Sequence, residues 1–334
     1  MPTPTDAAKL PLTVRDVEAA AHRLKGKAVL TPLMESPQLN DRLGGRLLVK
    51  AEPLQRTGSF KFRGAYNRIS LIPEEVRGRG VIAFSSGNHA QGVAAAARAF
   101  GIKATIIMPT DAPAIKVRNT RAWGAEVVLY DRWTESREAI GQKLSDETGA
   151  TLVRPYDDPG VMAGQGTIGL EIAAQAEALG VMVDTCVVCC GGGGLVAGTA
   201  LALLSLSPTT KVLSAEPEGF DDTARSLAAG TRVANEPGRQ SFCDAIVTPT
   251  PGELTFEVNR RLLAGGVAVS DREVAQAMRT AFEELKLVVE PGGAVALAAA
   301  LAGKVPVQGR TVVVVCSGGN VDADVFAKAL ADAA

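Results

Sequence analysis

In the stretch Val81-Ile-Ala-Phe-Ser-Ser-Gly-Asn-His89, four apolar residues precede a short polar loop, and an alanine-rich run from Ala90 to Phe100 follows. The apolar residues are typical of a buried strand, and the alanines favour a helix that ends at Gly101. Short polar side chains therefore follow a strand where the backbone N–H groups of a helix N-terminus converge. Such a loop is suited to bind a carboxylate or a phosphate.

Strands and helices alternate on both sides of this unit. Short apolar runs at 104–108, 126–129 and 152–153 predict further strands, and the turn-rich stretch 155–159 suggests a hinge. After it, strands are predicted near 185–190, 212–215 and 312–316. This alternation indicates parallel sheets covered by helices, and 334 residues are enough for two domains.

A second loop contains four consecutive glycines, Gly191 to Gly194, between an apolar run that ends at Cys190 and one that begins at Leu195. Glycines at the start of a helix let backbone N–H groups cradle a phosphate, whereas a tight turn needs only one or two of them. No Gly-Lys-Ser/Thr sequence follows, and Glu216 is only a weak candidate for a ribose-binding acid. The loop therefore predicts a phosphate site that is not a nucleotide site.

The third loop, Ser317-Gly-Gly-Asn320, follows the apolar run from Thr311 to Cys316. It places a hydroxyl at the carboxyl end of a predicted strand, the edge where ligands bind in open α/β sheets.

Lys61 lies between two aromatic residues in the stretch Thr57-Gly-Ser-Phe-Lys-Phe-Arg-Gly64. A lysine amine has an ordinary pKa of about 10.4, so it becomes a nucleophile only when burial or a cationic neighbour lowers that pKa. The alternative is a surface lysine whose stem lies along a Phe. Together with a phosphate cradle and polar loops at strand ends, a reactive lysine predicts a pyridoxal phosphate site.

Seven segments, in order, carry a resemblance to a known family. The chain resembles the fold type II pyridoxal-phosphate enzymes and, within them, the serine/threonine dehydratase and serine racemase group. The segments are 58–65, 85–92, 163–167, 191–195, Glu216-Pro217, 290–294 and 317–320.

The resemblance implies an α/β fold of the tryptophan synthase β type, with two open twisted sheets and flanking helices. It also implies that a small domain, residues 81–155, is inserted into a large cofactor-binding domain formed by residues 1–80 and 156–334. The cofactor is then expected between the two domains.

Site residues follow from the same resemblance. Lys61 is expected to bond covalently to the cofactor aldehyde, and Ser86 is the candidate for a second base opposite it. Cofactor contacts are expected from Phe60, Asn88, Gly191, Gly192, Gly193, Gly194 and Ser317. The substrate carboxylate is expected at Ser85, Ser86, Gly87, Asn88 and His89. For His89 a hydrogen-bonded structural role is the alternative to proton transfer.

The implied function is a pyridoxal-phosphate-dependent ammonia-lyase that converts L-threonine or L-serine to 2-oxobutanoate or pyruvate and ammonia by β-elimination. Serine racemase activity and dehydration of another β-hydroxy amino acid, such as 3-hydroxyaspartate, are alternatives. A non-catalytic phosphate-ligand binding protein is a remote one. Arg154 stands where many relatives have histidine, and a cation there serves an acidic substrate or faces solvent.

An acidic loop, Glu216-Pro-Glu-Gly-Phe-Asp-Asp222, follows a predicted strand. Two carboxylates and a backbone oxygen suit a hard cation, and resemblance to the racemase branch implies Glu216, the Phe220 carbonyl and Asp222 around Mg, Mn or Ca. A solvated acidic loop is the alternative.

Composition limits the partners. The net charge is −1, and the sequence has no basic patch for nucleic acid and no polybasic or long apolar segment for a membrane. Small molecules and a second copy of the chain, in a homodimer, are therefore the expected partners. The five cysteines are expected in the core, because Cys186-x-x-Cys189 lacks a second pair for zinc. Without an apolar signal core, a cytoplasmic location is expected. Fourteen residues follow Asn320, so no C-terminal regulatory domain is expected.

Overall fold

Two separate sheets organise the chain in the computed structural model, which describes residues 10–85, 87–112 and 114–333. The strands are β1 (Leu33–Met34), β2 (Arg46–Ala51), β3 (Val81–Phe84), β4 (Ala104–Pro109), β5 (Glu126–Tyr130), β6 (Thr151–Leu152), β7 (Thr185–Cys189), β8 (Lys211–Pro217), β9 (Gly265–Val269) and β10 (Thr311–Cys316).

The helices flank these strands on both sides. They are α1 (Val14–Leu24), α2 (Pro37–Leu43), α3 (Lys61–Ser70), α4 (Glu74–Arg77), α5 (Asn88–Ala99), α6 (Ala114–Ala122), α7 (Arg137–Thr148), α8 (Pro159–Ala178), α9 (Gly194–Leu206), α10 (Asp222–Ala229), α11 (Glu253–Leu262), α12 (Asp271–Leu285), α13 (Pro291–Leu301) and α14 (Ala323–Asp332). None of these helices is both long enough and apolar enough to cross a membrane.

The larger sheet has the order β1-β2-β10-β7-β8-β9, and only the β1–β2 pair is antiparallel. At its centre, Val314 of β10 is in register with Val49 on one side and Val187 on the other. These valines are fully buried, as expected for a parallel sheet that helices cover on both faces. All five cysteines are buried and free, as predicted.

The smaller sheet has the order β5-β4-β3-β6, and all its strands are parallel. Two sheets that are mostly parallel, with helices on their faces, confirm the predicted α/β fold class. The strands of the smaller sheet all lie within the predicted small domain, but the domain division itself stays a prediction.

Helix α3 extends the core of the smaller sheet, although it precedes β3 in the chain. Its residues Phe62, Ala65 and Ile69 belong to the same buried cluster as Val81 and Ala83. On its other side α3 packs closely against α8, where a Cβ on Gly164 would lie 2.5 Å from the carbonyl oxygen of Arg63. The helix that begins at the candidate nucleophile is therefore held between two structural units.

A buried ion network anchors α3 to β2 and α8. Arg63 on α3 pairs with Glu52 at 2.8 Å and with Glu171 on α8 at 2.6 Å, and Lys50 on β2 also pairs with Glu171 at 2.6 Å. Lys50, Glu52 and Arg63 are almost completely buried. Loss of one partner would leave an uncompensated buried charge, so this network fixes the position of α3.

Candidate active site

A cavity of about 650 Å³ lies where strands of both sheets end. Phe84 and Ser85 line it from the smaller sheet, and Cys189 and Ser317 line it from the larger one. Loops at the carboxyl ends of β3, β6, β7 and β10 contribute to its wall, which is the usual place for a ligand in an open α/β sheet.

Lys61 is the first residue of α3 and projects its amine into this cavity. Its Nζ donates a hydrogen bond to the carbonyl oxygen of Pro155 at 2.8 Å and lies 5.1 Å from the centroid of the Phe60 ring. Burial lowers the pKa of the amine to about 8, and Glu290 opposes that change. A larger fraction of the amine is therefore neutral near pH 7 than in an exposed lysine, as a nucleophile or base requires.

The glycine loop joins β7 to α9 and leaves backbone donors open. The N–H groups of Gly191, Gly192 and Gly193 have no acceptor within the described part of the chain. Gly193 has a φ of 90°, and a Cβ on Gly192 would overlap the ring of Tyr156. Free N–H groups at the start of a helix form an anion site, so the geometry fits the phosphate that the sequence predicts here.

Asn88 is held in one orientation by two neighbours. Its Nδ2 donates to the carboxylate of Glu290, and its Oδ1 accepts a hydrogen bond of 2.8 Å from Asn320 Nδ2. Asn320 also donates to the carbonyl oxygen of Thr57 at 2.7 Å, which fixes its own orientation. Because an amide nitrogen carries two protons, Asn88 keeps one N–H for a ligand in the cavity.

Glu290 is the buried carboxyl of this network. Burial raises its pKa to about 7, and the hydrogen bond from Asn88 works in the opposite direction. The sequence places Glu290 in a family segment without indicating a role, because its contact with Asn88 spans 202 residues.

Ser317 is buried directly after β10 and lines the cavity. Its carbonyl oxygen accepts a hydrogen bond of 3.1 Å from the N–H of Phe60, and Ser59 pairs with Gly318 in an isolated bridge. The segment that carries Lys61 is thus joined to the loop that carries Ser317.

The loop after β3 also faces the cavity through Ser85, Gly87, Asn88 and His89. His89 Nε2 lies 2.9 Å from the carbonyl oxygen of Val153, and burial, aided by the charge of Lys61, lowers its pKa to about 3. A neutral imidazole that donates to a backbone carbonyl favours the structural role for His89. Ser86, the predicted second base, lies outside the described residues.

Arg154 lines the cavity with an exposed guanidinium. Two other arginines on the wall have acidic partners, Arg137 with Glu138 at 2.8 Å and Arg232 with Glu253 at 2.9 Å. In contrast, no described residue forms a hydrogen bond or ion pair with the guanidinium of Arg154. This side chain is therefore available to an anionic group of a ligand.

Several wall residues were not predicted from the sequence. Tyr156 covers the glycine loop, Gln165 of α8 lines the cavity, and Lys116 of α6 pairs with Asp244 at 2.6 Å. Tyr156 lies in the turn-rich stretch that suggested a hinge, and Gln165 lies in a family segment. Only long-range packing brings these side chains to one cavity, so local patterns did not indicate that they line it.

The predicted metal residues lie in a different place, at the end of β8. Glu216 and Asp222 are both fully buried, which contradicts the alternative of a solvated acidic loop. The Glu216 carboxylate accepts the N–H groups of Thr223 at 2.9 Å and Ala224 at 2.8 Å. Burial, together with the charge of Asp222, raises the pKa of Glu216 to about 8.

Asp222 is the less satisfied member of this acidic pair. Its Oδ1 accepts a hydrogen bond of 2.6 Å from Asn235, whereas its buried Oδ2 has no partner among the described residues. Burial raises the pKa of Asp222 to about 6. The described residues contain no group of three or more His, Cys, Asp or Glu side chains that could hold a metal ion. A cation would therefore need backbone oxygen as well, and Phe220, between the two acids in the chain, is also buried.

The chain is similar in sequence and in structure to known proteins. Residues 26–318 match the profile of the family described as "Pyridoxal-phosphate dependent enzyme". The chain is 44% identical to the L-threo-3-hydroxyaspartate ammonia-lyase of Saccharomyces cerevisiae, over 93% of this chain and 94% of that protein. It superimposes on the crystal structure of T.th. threonine deaminase with a TM-score of 0.87 and 45% identity, over 93% and 99% of the two chains. Maize serine racemase gives a TM-score of 0.89 and 36% identity, over 96% and 97%.

Proposed function

The chain belongs to the pyridoxal-phosphate-dependent enzyme family, and we propose that it is an ammonia-lyase that acts on L-threonine and L-serine by β-elimination. The observation that carries this proposal is the amine of Lys61, which faces one cavity together with the open N–H groups of the glycine loop. Membership of an enzyme family also argues against the non-catalytic alternative.

The residues of the cavity fit pyridoxal phosphate. The N–H groups of Gly191 to Gly193 would hold the phosphate, Lys61 would bond to the aldehyde carbon, and Asn88 and Ser317 would contact the ring. When bound, this cofactor withdraws electrons from the substrate Cα, so that the Cα proton becomes acidic. Ser317 offers a neutral hydroxyl, which does not favour a protonated neighbour as a carboxylate would. That difference favours elimination over transamination.

Lys61 is the base that this geometry supports best. With a pKa of about 8, its amine can accept the Cα proton near neutral pH, and the Pro155 carbonyl orients the resulting ammonium. The loop after β3, at the N-terminus of α5, would bind the substrate carboxylate.

The test is turnover of purified holoenzyme with both enantiomers of threonine, serine and 3-hydroxyaspartate, followed as 2-oxo acid release. Lys61→Ala should lower the rate by at least about 10²–10⁴-fold, the usual contribution of a general base. Replacement of the exposed Lys27 by alanine is the control. Turnover retained by Lys61→Ala would remove the core of the proposal.

A second candidate substrate is 3-hydroxyaspartate, and the guanidinium of Arg154 favours it. A charged side chain on the cavity wall that pairs with no described residue fits a second carboxylate on the substrate. Arg154→Gln should lower kcat/KM for L-threo-3-hydroxyaspartate by roughly 10–100-fold, the loss expected for one charge-assisted hydrogen bond, with little change for serine. Equal effects on both substrates would exclude this role.

Serine racemase activity remains the other alternative. It requires a second base, and the candidate Ser86 lies outside the described residues. Formation of D-serine from L-serine by the same enzyme preparation would support it.

We also propose a divalent cation, Mg, Mn or Ca, held by Glu216, Asp222 and the Phe220 carbonyl. Support comes from the buried acidic pair, and above all from the Oδ2 of Asp222, which has no partner among the described residues. Buried carboxylates repel each other without a counter-charge, and hard cations prefer such oxygen ligands.

A homodimer is the proposed assembly. Leu30 and Leu54 are 66% and 50% exposed, and the Gln55 side chain bonds to the backbone of Val29, so the two segments are adjacent. Leu30 and Leu54 each adjoin one residue of this bonded pair, and a contiguous exposed apolar patch is typical of an interface. Leu30→Glu should yield monomers in light-scattering measurements. The cytoplasmic location stays a prediction.

A further inference from the structure

Gln165 on α8 is a buried amide with no partner among the described residues. The residue is 1% exposed, it lines the cavity, and neither its Nε2 nor its Oε1 forms a hydrogen bond there. Buried polar groups are almost always paired, because an unpaired one loses its hydration without compensation. A polar partner for this amide is therefore expected inside the cavity.

Helix α8, which carries this amide, packs against both helices that begin at the candidate cofactor site. On one side, a Cβ on Gly64, one helical turn after Lys61, would lie 3.0 Å from Gln165 Nε2. On the other, a Cβ on Gly166 would lie 2.7 Å from the carbonyl oxygen of Gly198, one turn into α9. Helix α9 begins at the glycine loop, so α8, which carries Gln165, packs between the helix that begins at Lys61 and the helix that begins at the phosphate cradle.

We propose that Gln165 is a further cofactor-binding residue whose side-chain N–H donates to the phosphate group of pyridoxal phosphate. A phosphate offers only acceptors, which the two N–H groups of an amide match. The ring contacts would come from Ser317 and Asn88. Ser317 belongs to the loop at 317–320, and Asn88 is hydrogen-bonded to Asn320 of that loop, so neither contact comes from α8. The inference rests on the cofactor site described under the proposed function.

The experiment compares two ligands that differ only by the phosphate. Apo-protein, wild type and Gln165→Leu, is titrated with pyridoxal phosphate and with pyridoxal. We expect the variant to bind pyridoxal phosphate roughly 10–100-fold more weakly, the loss of one hydrogen bond to a charged group, with unchanged affinity for pyridoxal. Inorganic phosphate should also raise the Tm of the apo-variant less than that of the apo-wild type.

Gln91 supplies a matched control. It is also a buried glutamine, its Nε2 has no partner among the described residues, and it lies on α5, which packs against α3 as α8 does. Gln91 is not part of the cavity wall. Gln91→Leu should leave both affinities unchanged, which separates a cofactor contact from the general effect of removing a buried amide.

Two outcomes would overturn the proposal. Equal losses for both ligands would place the contact at the ring or aldehyde, and no loss for either would mean that the amide pairs only with water. Should Gln165→Leu fail to fold, Gln165→Glu tests the same point, because a carboxylate repels phosphate and should weaken pyridoxal phosphate more than pyridoxal. A wild-type protein that does not bind pyridoxal phosphate would instead refute the proposed function.

Discussion

At the level of single residues, burial rather than ion pairing sets the properties of the site. The amine of Lys61 donates to a neutral carbonyl, and the Glu290 carboxylate accepts a hydrogen bond from a neutral amide. A strong ion pair would hold both groups charged, whereas burial moves both pKa values toward neutrality. Both groups can therefore exchange protons near pH 7.

Glu290 gives the first prediction, on the pH dependence of stability. Its pKa is raised from 4.5 to about 7 in the folded protein, so between these values the folded state binds more protons than the unfolded chain. The free energy of unfolding therefore falls as pH rises through this range. Glu290→Gln keeps an acceptor for Asn88 and removes the titration. As pH rises from the lower to the upper end of this range, the unfolding free energy of the apo-variant should increase by roughly 3 kcal/mol relative to that of the wild type.

Urea unfolding of the two apo-proteins at about pH 5 and about pH 8 measures this change. Glu74→Gln, at an exposed carboxylate, is the control. The prediction is contradicted if the unfolding free energies of wild type and Glu290→Gln differ by the same amount at both pH values.

The sequence located some site residues and missed others for a physical reason. Lys61, the glycine loop and Ser317 follow predicted strands or lie in short motifs, so local sequence indicates them, and each lines the cavity. Gln165 on α8 and Glu290 before α13 line the cavity only through the packing of the fold, and no local pattern specifies that.

At the level of elements, α3 is positioned by close helix contacts. Glycines allow α8 to approach both α3 and α9, and the network around Arg63 ties α3 to β2. Because Lys61 opens α3, a shift of this helix moves the reactive amine directly. The position of the lysine therefore depends on small residues distant from it in sequence.

Gly164→Ala tests this dependence. The added Cβ would lie 2.5 Å from the carbonyl oxygen of Arg63, so α3 and α8 must separate. We expect a loss of roughly 1–3 kcal/mol in unfolding free energy, the usual cost of overpacking, and weaker binding of pyridoxal phosphate. Gly78→Ala is the control, since Gly78 has a φ of −60° and nothing lies near its would-be Cβ. A Gly164→Ala protein with wild-type stability and cofactor affinity would show that the contact is adaptable.

The junction of β8 and α10 gives a prediction for the proposed cation. Chelator should lower the Tm of wild type, because a ligand at 100 times its Kd stabilises the folded state by about 2.7 kcal/mol. The Tm of Asp222→Ala should be as low as that of wild type with chelator, and chelator should not lower it further. Glu218→Ala, at an exposed acid on the same loop, should respond as wild type does. If chelator leaves the wild-type Tm and turnover unchanged, the cation proposal is wrong.

At the level of the whole molecule, the fold class was accessible from sequence because buried strands are continuous apolar runs between helical stretches. The strands of the smaller sheet are consecutive in sequence, whereas those of the larger sheet lie before and after them, so the division into two sheets depends on which runs pair. The attachment of α3 to the core of the smaller sheet was not predicted. It depends on contacts between surfaces that no single segment encodes.

An ion pair connects the two units at the cavity. Lys116 on α6, beside the smaller sheet, pairs at 2.6 Å with Asp244, which lies in the segment before α11. Lys116 is 8% exposed, and both residues line the cavity. The Lys116 ammonium also lies near Gly87, in the loop expected to bind the substrate carboxylate. The pair therefore favours the arrangement in which this loop faces the glycine cradle.

Lys116→Met should change substrate binding more than stability. Asp244 is 55% exposed at its side chain, and such ion pairs contribute about 0–1 kcal/mol to stability, so the Tm should fall little. The KM for the amino-acid substrate should rise several-fold, because the loop expected to bind the substrate carboxylate loses the neighbouring ammonium and the ion pair that favours its position. Lys103→Met breaks a 2.7 Å pair with Glu126 beside the smaller sheet and should leave KM unchanged. Steady-state kinetics of the three proteins decide the point, since a KM that rises equally in both variants, or in neither, would mean that the Lys116–Asp244 pair does not position this loop.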